Sequence, residues 1–178
     1  MIIGIAGPIA SGKSTLARAL VKKFSLKLIG FGEFVRHEAK ARGMDATNRR
    51  VLQELGQSLV DEDVAAFVHS VFARADFRPA DGVVMDGIRH ENVWREVVAY
   101  ASLHGSTARL IYLDMPDEDR HRRLEARGIS SDQSLAQDLH ASEADVHNRL
   151  ANQAELRLDA LRPEDDMLAT IAAGLELD

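Results

Sequence analysis

The chain contains no cysteine. A disulfide framework and a thiolate zinc site are therefore both excluded, and a cytoplasmic setting is the expectation. No apolar run approaches the roughly 20 residues that span a bilayer, so no membrane association is expected and the longest runs read as strands. The opening Met1-Ile2-Ile3-Gly4-Ile5-Ala6 is apolar but lacks the basic start and cleavage site of a signal peptide, and it reads as a first strand instead. Repeats, low-complexity tracts and linkers are also missing. Positive charge is in deficit: 22 lysines and arginines face 28 acids, for a net charge of −6. That balance argues against binding a nucleic-acid polymer. What remains is 178 residues, 46% hydrophobic and 28% charged. This is enough for one domain, residues 1–178, with a core of its own.

The basic residues are unevenly chosen, with 17 arginines against 5 lysines. A guanidinium is a planar fork matched to phosphate oxygens, so an arginine-rich acidic chain is suited to holding phosphates in a local pocket. Surface ion pairs are the other reading of the same bias.

Short apolar runs alternate with helical periodicity along the chain. Strands are expected at Ile2–Ala6, Leu26–Ile29, Val83–Asp86, Ala108–Leu113 and Glu155–Leu158. Helices are expected at Lys13–Phe24, Glu33–Arg42, Thr47–Leu59, Val64–Phe77, Glu91–His104, Asp117–Arg127, Gln137–Leu150 and Glu164–Leu175. Helices between buried strands require crossovers, hence a three-layer α/β/α fold around a five-stranded parallel sheet. Ligands of such sheets sit beyond the carboxyl ends of the strands. The chemistry is therefore expected just after Ala6, Ile29, Asp86 and Leu113.

Directly after the first strand stands Gly7-Pro8-Ile9-Ala10-Ser11-Gly12-Lys13-Ser14-Thr15. It satisfies G-x-x-x-x-G-K-[ST] in full, between a strand and a helix as that phosphate-binding loop requires. Glycines let the backbone wrap until its N–H groups face phosphate oxygens, and the following helix adds the positive end of its dipole. Gly7, Ala10, Ser11, Gly12, Lys13, Ser14 and Thr15 are thus the nucleotide-binding candidates. Lys13 is expected to reach the β- and γ-phosphates of ATP, and Ser14 to ligate Mg²⁺. No N-K-x-D guanine-reading sequence occurs, which counts against a GTPase.

Three further segments lie at the expected strand ends. Gly32-Glu33-Phe34-Val35-Arg36 resembles the G-D-x-L-R segment of adenylate-kinase-like nucleoside monophosphate kinases, with glutamate in place of aspartate. Asp86-Gly87-Ile88-Arg89 resembles their D-G-[FY]-P-R segment, one residue shorter and without proline. Arg123-Leu124-Glu125-Ala126-Arg127 resembles the R-L-x-x-R approach to their lid. The resemblance runs from Met1 to about Leu150. It implies ATP and Mg²⁺, an in-line transfer without a covalent enzyme intermediate, and a nucleoside or deoxynucleoside monophosphate as the small phosphorylated acceptor. Glu33, Arg36 and Arg89 would then hold the acceptor, Asp86 would hold Mg²⁺ through water, Arg123 would bind the nucleotide, and Arg127 would act on the transferring phosphate. Acceptor-binding helices would span 31–78 and a short lid 128–137. Plainer readings stand beside these: an Arg36–Glu33 surface pair, Asp86 as a turn residue, and dipole matching for the arginines after Pro116.

The helix segment Arg49-Arg50-Val51-Leu52-Gln53-Glu54-Leu55-Gly56 resembles an R-x-x-L-Q-x-L-G pattern of phage and bacterial deoxynucleotide kinases, with Asp45 or Thr47 as its expected cap. Gln53 is a candidate reader of a base edge and Arg49 or Arg50 of a phosphate. A helix with Val51, Leu52 and Leu55 inward and the rest solvated is the simpler alternative. Arg120 and Arg122 read as surface residues, and Arg149 as a late contact to phosphates. His140, Glu143 and His147 share a helix face that reads as ordinary polar surface before it reads as a metal site. Two rival functions remain open at this stage. One is an enzyme resembling dephospho-coenzyme A kinase, which would want an aspartate base near the end of the second strand, where this chain has Glu33 instead. The other is a P-loop ATPase or regulatory module that transfers nothing.

Overall fold

All five residues of Ile2–Ala6 are buried, which requires a sheet covered on both faces. The computed structural model describes residues 1–78, 81–129 and 149–177. In it β1 (Ile2–Ala6) is the middle strand of a five-stranded parallel sheet. The others are β2 (Lys27–Gly30), β3 (Val83–Asp86), β4 (Ala108–Asp114) and β5 (Leu156–Asp159), in the order β2-β3-β1-β4-β5. Each expected strand is found within one residue of its expected ends.

The helices are α1 (Lys13–Phe24), α2 (Phe31–Ala41), α3 (Arg49–Arg74), α4 (Glu91–Leu103), α5 (Asp117–Glu125), the single turn α6 (Ala151–Gln153) and α7 (Glu164–Leu175). On one sheet face Ile3, Ile5, Val84 and Ile111 pack against Leu16 and Leu20 of α1 and Leu168 and Ile171 of α7. On the other, Ile2, Met85 and Leu110 pack against side chains of α2, α3 and α4, among them Phe67, Phe72 and Val97. The fold is thus the expected three-layer α/β/α. Among the described residues no helix is long and apolar enough to cross a membrane.

The crossover after β1 places α1 on one face, whereas that after β3 places α4 on the other. β1 and β3 are neighbours, so a crevice opens where their connections part. Gly4 keeps this junction tight. A Cβ there would stand 2.6 Å from both Ile88 Cδ1 and Trp94 Cζ3, so only glycine lets the start of α4 settle on the central strand.

Several helix boundaries differ from expectation. Thr47–Leu59 and Val64–Phe77 are halves of one element, α3, bent where Asp63 turns extended (φ −163°, ψ 98°). The Asp63 carboxylate accepts from the Ala66 N–H at 2.9 Å, so it caps the second half as an N-terminal residue would. At the start of α3 the cap is Asn48, whose Oδ1 accepts from the Arg50 N–H at 3.0 Å. Asp45 instead accepts from the backbone and hydroxyl of Thr47, at 2.9 and 2.6 Å. Those bonds, the hydroxyl's foremost, hold the Asp45 carboxyl below its ordinary range.

Helix α5 ends at Glu125, two residues early. The Ile129 N–H reaches the Leu124 carbonyl at 3.1 Å and the Gly128 N–H that of Glu125 at 2.8 Å. Gly128 takes φ +76°, which makes this a Schellman ending with its usual apolar contact, here Ile129 beside Leu124. Residues 130–137 of the expected lid, and His140, Glu143 and His147, lie outside the described residues.

Candidate active site

Between Gly7 and Gly12 the backbone takes positive φ three times: Gly7 (+145°), Ala10 (+65°) and Gly12 (+98°). Such turns fold a chain into a concave nest of N–H groups. A Cβ on Gly7 would stand 2.7 Å from the Leu113 carbonyl of β4, so that position admits glycine alone. The loop opens into α1, whose first-turn amides have no acceptor inside the helix. This donor set, with a lysine ammonium and a serine hydroxyl at its end, fits a polyphosphate and its Mg²⁺.

Lys13 is buried, and its Nζ donates to the Gly7 and Pro8 carbonyls at 2.7 Å each. The ammonium is thereby held across the loop. The Ser14 Oγ donates to Asp86 Oδ2 at 2.5 Å, tying the helix after β1 to the end of β3 across the crevice. Two residues chosen independently as Mg²⁺ ligands thus touch. Asp86 is a partner of the phosphate loop here, not merely a turn residue. Arg123 braces the loop from its outer side, donating to the Ala10 and Ser11 carbonyls at 3.3 and 3.5 Å and to Ala160 at 3.4 Å. Ser11 is buried with its hydroxyl unpaired. Neither Ser11 nor Arg123 faces the cleft.

That cleft holds about 980 Å³, enough for two small ligands side by side. Its walls include Ala10, Gly12, Lys13, Ser14, Thr15 and Asp86 from the phosphate loop, α1 and the end of β3, and Glu33, Arg36, Gln53 and Arg89 from α2, α3 and the segment before α4. Arg127 reaches its mouth from the Schellman turn. Of the sequence candidates Gly7, Ser11, Arg50, Arg123 and Arg149 lie off the wall. The alternative reading, an Arg36–Glu33 surface pair, does not form. Neither side chain makes a hydrogen bond or ion pair with a described residue, and the Arg36 guanidinium leans over Gly32, where a Cβ would lie 3.8 Å away.

Four further arginines differ from their sequence reading or resolve it. Arg49 lines the cleft, whereas Arg50 turns outward to Glu54 at 2.7 Å. Arg120, expected at the surface, is 3% exposed. Its stem is buried beneath α5 while its guanidinium donates to Asp117 at 3.2 Å and lies 3.1 Å from His121 Nε2. Arg122 is the surface residue expected, paired with Glu118 and Asp119. Arg149 is engaged with Glu91 at 2.9 Å, and its hydrogen bond is the chief reason the Glu91 carboxyl lies below its ordinary range.

Sequence reading missed Arg18 and Gln57, both on the cleft wall. Arg18 lies one helical turn beyond Ser14, a spacing that identifies the shared face. In all, Lys13, Arg18, Arg36, Arg49, Arg89 and Arg127 line the cleft, against Glu33 and Asp86 as its described carboxylates. A chain of net charge −6 therefore concentrates positive charge where its phosphate loop opens.

A family model described as an AAA domain matches residues 3–155. The chain belongs to this AAA-domain family. The chain is 27% identical over 127 residues to an adenylate kinase of Rickettsia bellii, covering 71% of this chain and 58% of that one. It thus spans less than two thirds of the length of that relative. A UPF0200 protein of Aeropyrum pernix is 30% identical over 132 residues, 74% of this chain and 67% of the relative. The resemblance to adenylate-kinase-like enzymes is borne out by such relatives. Shikimate kinase from Aquifex aeolicus superposes with a TM-score of 0.61 at 15% identity, covering 99% of this chain and 96% of that one. This AAA-domain chain therefore shares the fold of small P-loop kinases.

Proposed function

We propose that this AAA-domain protein is a cytoplasmic ATP-dependent kinase that phosphorylates a small phosphorylated acceptor, a nucleoside or deoxynucleoside monophosphate. The observation that carries the reading is a single cleft shared by two sets of residues. Lys13, Ser14 and Asp86 line it from the phosphate loop and the end of β3, and Arg36 and Arg89 line it from α2 and the segment that follows β3. A regulatory nucleotide binder has no need of the second set of cations. No nucleic-acid polymer or membrane enters the proposal, and residues 1–178 act as one kinase domain with acceptor-binding helices at 31–78 and a lid at 128–137.

In this reading the phosphate loop seats ATP and the Lys13 ammonium neutralises charge on its β- and γ-phosphates. Ser14 and Asp86 would hold Mg²⁺, Asp86 through water, and the ion would supply positive charge against the phosphates. Arg36 and Arg89 clamp the acceptor phosphate so that one of its oxygens lies in line with the γ-phosphorus. The new bond joins that oxygen to phosphorus, and the bond to the ADP oxygen breaks. Arg127, held at the mouth by the Gly128 turn, neutralises charge on the equatorial oxygens. An acceptor phosphate is already ionised, so catalysis is positioning and charge neutralisation without a general base. Arg123 contributes by keeping the Ala10–Ser11 carbonyls in place.

One observation favours a second reading. Glu33 lines the cleft with no hydrogen bond or ion pair to a described residue, and a carboxylate base there would serve a hydroxyl acceptor such as dephospho-coenzyme A. Labelled ATP with a panel of nucleoside monophosphates, dephospho-coenzyme A and hydroxylated acids separates the readings. Transfer to a nucleoside monophosphate, lost in Lys13→Ala, is the expected result. Transfer only to a hydroxyl acceptor favours the second reading, and phosphate release without transfer refutes both.

A further inference from the structure

Away from the phosphate loop the cleft has a compartment between α2 and α3. Phe31, Val35, Leu52, Val60 and Phe67 give it apolar walls, and the Phe31 and Phe67 rings lie 5.4 Å apart, tilted by 43°. Two glutamines of α3, one turn apart, break this surface. The Gln53 amide nitrogen and the Gln57 amide oxygen are both buried, and neither has a hydrogen-bond partner among the described residues. A buried polar atom left unpaired is destabilising, so natural proteins keep few of them. Here two occur together on the wall of the cleft.

The orientation of Gln57 follows from its neighbour. Its Nε2 donates to Asp61 Oδ1 at 2.9 Å. A carboxylate only accepts, so the end left over must be the oxygen. Gly56, between the two glutamines, leaves the wall low at that point. A Cβ there would only just touch Val35, at 3.7 Å, so no packing constraint demands glycine. Glycine inside a helix is itself unfavourable, and the space it leaves is open to a ligand.

Apolar walls with one amide donor and one amide acceptor describe their ligand. It is planar, with apolar faces and an edge carrying a hydrogen-bond acceptor beside a donor. A polyhydroxylated sugar or sugar acid offers polar groups all round, which Phe31, Val35, Val60 and Phe67 would leave unsatisfied. We propose that Gln53 and Gln57 read the edge of a heterocyclic base on the acceptor. Gln57 accepts from a base N–H, and the Gln53 amide, turning about its terminal bond, donates to a ring nitrogen or carbonyl. This inference rests on the kinase reading above and makes Gln53 and Gln57 its specificity-determining pair.

The test compares transfer from ATP to a panel of ribo- and deoxynucleoside monophosphates and to ribose 5-phosphate, in wild type and in Gln53→Met and Gln57→Met. The expected result is that each variant narrows the kcat/KM ratio between the preferred nucleotide and ribose 5-phosphate about tenfold, the share of one neutral hydrogen bond, mainly through KM. A purely structural role would lower transfer to every acceptor alike and leave that ratio unchanged, which overturns the inference. Should the variants fail to fold, the wild-type side-chain amide resonances decide. Those of Gln53 and Gln57 should shift on titration with the preferred nucleotide and not with ribose 5-phosphate; no difference between the two refutes the pair's role. If wild type phosphorylates no nucleoside monophosphate, the proposed function fails and this inference with it. If it does so but the ratio is insensitive to both glutamines, only the inference fails.

Discussion

Arg36→Ala separates binding from folding more cleanly than any other substitution in the cleft. The side chain is exposed, and it makes no hydrogen bond or ion pair with a described residue. Removing it strands no buried partner and opens no cavity, so stability should change by less than about 0.5 kcal/mol. For a domain of this size that is a shift of less than roughly 2 °C in Tm. The acceptor phosphate would lose one charge-assisted hydrogen bond worth about 1.5–3 kcal/mol, which raises its KM roughly 10- to 150-fold. The KM for ATP should stay within about twofold, because the interaction lost belongs to the acceptor alone. Arg36→Lys should recover part of the loss, since an ammonium restores the charge but not the planar fork. Steady-state kinetics in both substrates and a thermal melt are the whole assay. An unchanged acceptor KM, or a fall in Tm beyond about 5 °C, refutes the reasoning.

Arg120→Ala should do the reverse. Loss of a buried stem and its contacts to Asp117 and His121 should lower stability by about 1–3 kcal/mol by chemical denaturation, with both KM values unaltered. Gly4→Ala would force its Cβ to within 2.6 Å of Ile88 and Trp94, and overpacking of this kind costs about 1–3 kcal/mol. Trp94 is the chain's one tryptophan, so its emission should report the displacement directly. The Glu91 carboxyl is depressed, chiefly by the hydrogen bond from Arg149. A depressed carboxylate contributes stability above its unfolded pKa and loses it as pH falls through the folded value. The stability gap between wild type and Glu91→Gln, measured across pH, should therefore be present near neutrality and close on the acid side of the glutamate range.

What could be read from the sequence follows from how local each signal is. The strands, the phosphate loop and Asp86 are written in contiguous residues whose spacing is dictated by backbone geometry, and they stand where expected. The merging of two helices into α3 was not legible. Val60-Asp61-Glu62-Asp63 looks like an interruption in apolar periodicity, yet Asp63 supplies its own cap and the helix resumes around it. Arg120 was misread for a related reason. Alone, R-H-R-R on an acidic-to-basic helix is a surface pattern, and only the packing of α5 decides which of those arginines turns inward. Arg18 and Gln57 were missed although their helical offsets from Ser14 and Gln53 place them on the same faces. The sequence shows a shared face but not which face borders the cleft.

The polar groups of the cleft divide in a way that bears on how the proposed reaction is ordered. Lys13 is held by the loop carbonyls, Ser14 by Asp86, and the loop itself by Arg123, so the donor wall has its geometry before any acceptor arrives. Arg18, Glu33, Arg36 and Arg127 have no such protein partners among the described residues, and two glutamine amides carry an unpaired end. A preorganised donor site loses little freedom when it binds. The acceptor wall must instead order its side chains around the ligand, drawing on the acceptor's own binding energy. Substitutions on the donor wall should consequently lower kcat for every acceptor, whereas those on the acceptor wall should act through KM and differ from one acceptor to the next.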